Sequence, residues 1–133
     1  MCKYKYSETD KLRECLSRHY CHDAEIVSIM PDINQRYLEL KLENNFFHEK
    51  IVLSFSGVAI ALFVNSTDIG MGEDQTILSI SVEEDVSSLN SISNNIKSND
   101  KLLYILIEML SGSTLHIASK EVGVVAERKK LCS

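Results

Sequence analysis

Leu38, Leu40 and Leu42 alternate with Glu39, Lys41 and Glu43. Apolar side chains at every second position fit a strand with one buried and one wet face. The same beat returns in Leu78, Ile80 and Val82. Strands are predicted over residues 24–30, 36–43, 50–56, 58–64, 76–84, 102–110, 114–119 and 122–126. Residues 50–64 and 102–110 are more evenly apolar, which suggests central strands or burial on both faces. Pro31-Asp32 stops the first strand and Asn44-Asn45 marks a turn after the second. Gly57 predicts a bulge or bend, Ser111-Gly112 suits a tight hairpin, and Lys120-Glu121 reads as a connection or bulge.

One helix precedes these strands. Ser7 and Asp10 have capping-box spacing, with Asp in place of the usual Glu. Leu12, Cys15, Leu16 and His19 then recur at helical spacing, and the helix should end at residues 18–20. Residues 65–75, with two glycines and two aspartates, read as a loop. In residues 85–100, Val86, Leu89, Ile92 and Ile96 have helical spacing, but Ser and Asn compete for backbone hydrogen bonds, so loop and helix both stay open. These elements predict an α+β fold: an N-terminal helix followed by a mostly antiparallel, strongly curved sheet or partly open β-barrel. A chain of 133 residues is expected to form a single domain, 1–133.

Acidic residues outnumber basic ones by 19 to 14, for a net charge of −5. That disfavours nucleic acid, whose phosphates require a basic footprint, and favours a basic protein partner. Residues 1–7 carry Lys3 and Lys5 but no apolar segment of the signal-peptide kind, and no run reaches a membrane span, so no membrane association is expected. Cys132 is next to last, where a prenylation box does not place it. The chain therefore reads as cytoplasmic, and Cys2, Cys15, Cys21 and Cys132 as reduced thiols. Asn65-Ser66-Thr67 then counts as a polar turn.

Candidate chemistry is sparse. Cys21-His22-Asp23 is the densest polar cluster, and His48 and His116 would be needed to complete a zinc site. Adjacent residues seldom face one metal, so a turn in which His22 and Asp23 cap backbone groups competes with that reading. His22-Asp23 also matches the dyad of metal-dependent phosphohydrolases. That superfamily requires a helical bundle, which a β-rich chain does not supply. Glu108 interrupts an apolar strand and is a conceivable partner for His116, against the plainer reading of a rim charge. Neither Gly-x-Ser-x-Gly nor a Walker-type loop is present, and Cys15 falls on the helix's apolar stripe. Gly70-Met71-Gly72-Glu73-Asp74 has acids that repel phosphate. Five Tyr and four Phe are not interleaved with a basic stripe. No catalytic residue, metal or organic cofactor is assigned.

His22-Asp23-Ala24-Glu25-Ile26-Val27-Ser28-Ile29 leads into a strand, and Ser111-Gly112-Ser113-Thr114-Leu115-His116-Ile117-Ala118-Ser119-Lys120-Glu121-Val122 stands near the end. The order of these pieces resembles small β-rich bacterial proteins, among them immunity proteins of toxin systems. The resemblance implies a non-catalytic cytosolic domain that masks a toxin's surface, and it carries no catalytic residue. An acidic β domain suits an inhibitor of a basic toxin. The expected contact residues are wet-face and loop acids, Glu39, Glu43, Glu73, Asp74, Glu83, Glu84 and Asp85, with Phe46 and Phe47 as aromatic anchors. Two other functions remain as expectations. One is a small-molecule-binding β-barrel-like domain with an interior cavity. The other is a small metal-dependent hydrolase in which His22 and Asp23 converge with a further His. An exposed edge strand would also allow a homodimer.

Overall fold

The alternating segments assemble into one seven-stranded sheet in a computed structural model of the chain. The structure describes residues 2–18, 24–44, 48–64, 76–83, 89 and 101–128, except the side chain of residue 128. The strands are β1 (Cys2–Lys5), β2 (Glu25–Asp32), β3 (Tyr37–Asn44), β4 (Glu49–Val64), β5 (Ile77–Glu83), β6 (Leu103–Met109) and β7 (Thr114–Arg128). Helix α1 (Thr9–Arg18) follows a 3₁₀ turn, Tyr6–Glu8. Strand order is β2-β3-β4-β7-β6-β5, with β1 paired to β7. Every described strand pairing is antiparallel. The fold is α+β with an open, curved sheet, as the sequence predicts.

Two bends replace two expected breaks. Gly57 does not end its strand: it sits at φ 64 within β4, with a register shift between Val58 and Ile60. Lys120-Glu121 likewise lies inside β7, where Ser56 pairs Glu121 and Val58 pairs Ser119. Two pairs of expected short strands are therefore two long ones that bend together. Gly112, at φ 89, closes the β6–β7 hairpin, and its N–H donates to the Met109 carbonyl at 2.9 Å.

The ends of this curved sheet nearly meet. Glu25 bridges Thr76, and the Ile77 N–H donates to the Ala24 carbonyl at 2.8 Å. That single bridge joins β2 to β5 without closing a barrel. Helix α1 covers the other stretch of β5: the Arg13 Nε and Nη2 donate to the Val82 carbonyl at 2.9 and 2.7 Å. A guanidinium thus satisfies an edge carbonyl that would otherwise invite another strand.

The inner face carries the core. Leu12 from α1, Leu40, Ile51, Leu53, Phe55, Ile77, Leu103, Ile105, Ile107 and Ile117 are each 0% exposed. These side chains form one core cluster among the described residues. Leu78 does not share the buried face expected for it. A bulge between Ile77 and Ser79 turns it outward and puts Ile77 into the core. Strand β6, apolar apart from Glu108, is an interior strand between β7 and β5, and burial on both faces adds to that position. It lies second from the β5 edge, and its outer face is covered as well: Tyr104 packs with Leu89, Leu102 and Ala118. Leu89 is the one described residue of the open segment 85–100, and it is buried.

The helix start also differs from its expected form. A 3₁₀ turn stands where Ser7 was to cap the helix. Instead the Lys5 N–H donates to Glu8 Oε1 at 3.3 Å, and Thr9 Oγ1 donates to the Tyr6 carbonyl at 2.6 Å. Strand β1 had no sequence-based expectation at all.

Candidate functional site: the outer face of β2, β3, β4 and β7

The β3 alternation that buries Leu38, Leu40 and Leu42 places Glu39, Lys41 and Glu43 on the outer face. Cross-strand register extends that face. Lys41 stands opposite Val52, and Val52 opposite Val125. Beside that row runs a charged one, Glu25, Glu43, Lys50 and Glu127. A bulge between Ile26 and Ser28 leaves Val27 outside the regular ladder and 58% exposed. Val27, Val52 and Val125 line a shallow depression of about 270 Å³, rimmed by Lys41, Glu43, Lys50 and Glu127. An apolar centre inside a charged rim is the anatomy of a protein-binding surface.

Electrostatics on this face are mixed with an acidic excess. Glu39 Oε1 lies 3.7 Å from Lys41 Nζ, and the Tyr37 hydroxyl donates to Glu39 Oε2 at 3.4 Å. Glu25, Glu39, Glu43 and Glu127 outnumber Lys41 and Lys50 there. The adjoining β2 edge pairs with no described residue beyond the Glu25–Thr76 bridge. Pro31 is accommodated in this edge strand, where a missing N–H is tolerated. Met30, 56% exposed, and Ile33, 88% exposed in the β2–β3 turn, continue the apolar surface.

The expected contact residues divide. Glu39 and Glu43 lie together on this face, while exposed Glu83 ends β5 at the opposite end from the Thr76 bridge. Phe46, Phe47, Glu73, Asp74, Glu84 and Asp85 lie outside the described residues. Sequence reading missed Val27, Val52 and Val125, because each belongs to a segment whose apolar content was assigned to the core.

The expected polar cluster is not assembled among the described residues. His22 and Asp23 lie outside them. His48, in the turn before β4, adjoins Glu49, which pairs with Arg128; His116 pairs with Leu62 toward the other end of the same ladder. Those two imidazoles cannot share a metal. His116 is held by neighbours: its Nδ1 is 2.6 Å from the Tyr104 hydroxyl and its Nε2 is 3.1 Å from Thr114 Oγ1. Glu108, exposed at the end of β6, pairs with Thr114. No group of three potential metal ligands occurs among the described residues. The described helix is not long and apolar enough to cross a membrane.

No protein-family model matches the chain, and no curated protein matches it significantly in sequence.

Proposed function

We propose that this chain is a non-catalytic protein-binding domain whose partner is a basic protein, in the manner of an immunity protein neutralising a bacterial toxin. The observation that carries this reading is the apolar depression at Val27, Val52 and Val125 beside an open strand edge. An extended partner segment would add to β2 through main-chain hydrogen bonds, with alternate side chains entering the depression. The acidic excess on the rim, together with a net charge of −5, selects a basic segment and speeds its encounter. The expected homodimer would use the same edge, and light scattering separates the two readings: a chain that stays monomeric keeps β2 for another protein.

The test is capture of partners by the tagged chain from an extract of its source cells, run in parallel with Val27→Asp. Val27 is already 58% exposed, so the variant should fold normally. A stoichiometric basic protein should be retained by the wild type, released by raised salt, and lost from the variant. Retention by both would remove this face from the account, and stoichiometric recovery of an acidic protein would refute the partner class.

A further inference from the structure

Strand β7 changes neighbours along one edge. Residues 114–119 pair with β6 and residues 121–124 pair with β1. Lys120 falls between them, opposite Gly57 at the bend of β4. A groove of about 1050 Å³ opens at this switch, lined by Lys5, Arg36, Lys101 and Lys120, with half-buried Tyr6 and buried Leu102. Among the described residues, no carboxylate lines it. None of the four cations is ion-paired among the described residues, and Glu121, in register with Lys5, is engaged instead by Lys3 at 3.8 Å. Four cations lining one groove, all of them exposed, are unexpected in a chain of net charge −5.

Two of these cations sit at constrained points of the fold. Arg36 sits at φ 50, a left-handed conformation that suits glycine, and its carbonyl accepts the Val58 N–H at 2.9 Å. Strain of this kind persists where the surroundings enforce it, commonly at binding sites. Gly57 permits the bend, and the Lys120 stem lies across it, with Cγ and Cδ 3.0 Å from where a Cβ would stand. That contact seats the stem of the Lys120 side chain over Gly57, at the edge of the groove.

From this arrangement we infer that the groove binds a soluble small molecule carrying adjacent phosphate groups and a planar ring. The cations match the charge of linked phosphates. Tyr6 and Leu102 supply the aromatic and apolar surface on which a ring would rest. The volume suits a ligand of nucleotide size. This site shares no residue with the protein-binding face, so the two proposals stand or fall separately.

Calorimetric titration of the full chain with ATP, with pyrophosphate and with a short oligothymidylate tests the inference. ATP should bind one to one, more tightly than pyrophosphate, which lacks the ring. The double variant Lys101→Gln/Lys120→Gln should weaken ATP about tenfold or more, since two charge-assisted contacts are lost. Glutamine retains the Cβ, Cγ and Cδ that pack over Gly57, so the fold is preserved; unchanged thermal unfolding checks this. Arg18→Gln, at the exposed end of α1 farthest from Tyr6, should leave binding unchanged. Lack of saturable ATP binding at low salt, or ATP binding indifferent to the double variant, overturns the proposal. Tighter binding of the oligothymidylate also overturns it, in favour of nucleic acid.

Discussion

Arg36 shows how much one residue can combine. A left-handed residue other than glycine is strained, and glycine there relieves the strain. Relief of about 1–2 kcal/mol of strain, less about 0.5–1 kcal/mol for glycine's extra chain entropy, means that Arg36→Gly should raise stability by roughly 0.5–1 kcal/mol in chemical denaturation. The same change should weaken ATP binding, because it removes a groove cation. Lower stability in the variant would show that the Arg36 side chain holds the turn by contacts the strain argument omits. At this scale the sequence is informative about Gly57 and Gly112, since glycine in a strand or hairpin points to unusual backbone. It is silent about Arg36, because arginine signals no left-handed turn. The cations at residues 5, 36, 101 and 120 share no local pattern, and only the seam in β7 brings them together.

Among elements, β1 is the clearest omission. Cys2 and Tyr4 alternate with Lys3 and Lys5, which is a strand pattern, but four residues are too few to separate from a disordered start. Its place is decided by β7, far along the chain. Tyr4 then joins β1 to α1. A hydrogen bond with the Cys15 thiol, reinforced by burial, holds its phenol well above the ordinary value of 10.0. The folded state therefore keeps a proton that the unfolded chain gives up near pH 10. This contribution is complete below that pH and declines as pH rises beyond it. Urea titrations from about pH 8 to about pH 11 should show wild type losing stability relative to Tyr4→Phe at the alkaline end. A constant difference across that range would mean that the phenol does not titrate differently on folding. The long strands β4 and β7 were legible in content but not in continuity. A bulge beside a glycine looks locally like a strand end, and only pairing across the ladder shows the chain running through.

At the scale of the molecule, fold class was legible because alternation reports directly on one buried face. Strand order was not, because β7 pairs not only with its hairpin neighbour β6 but also with β4 and β1, contacts distant in sequence. The candidate site was legible in part for the same reason. Glu39 and Glu43 followed from the β3 beat, but the valines beside them became a surface only when four strands were set in register. The resulting molecule separates its charge. An acid-rimmed apolar face adjoins the open β2 edge, and a cationic groove lies at the seam between β1 and β6. The central claim is that the β2 edge receives a basic protein. Amide hydrogen exchange of the chain with and without its captured partner tests it most directly. The account predicts slowed exchange at residues 27–30 and 32, the β2 amides beyond the bridge, with exchange around Lys101 and Lys120 unchanged. Protection confined to the groove, with β2 exchanging as in the free chain, would contradict it.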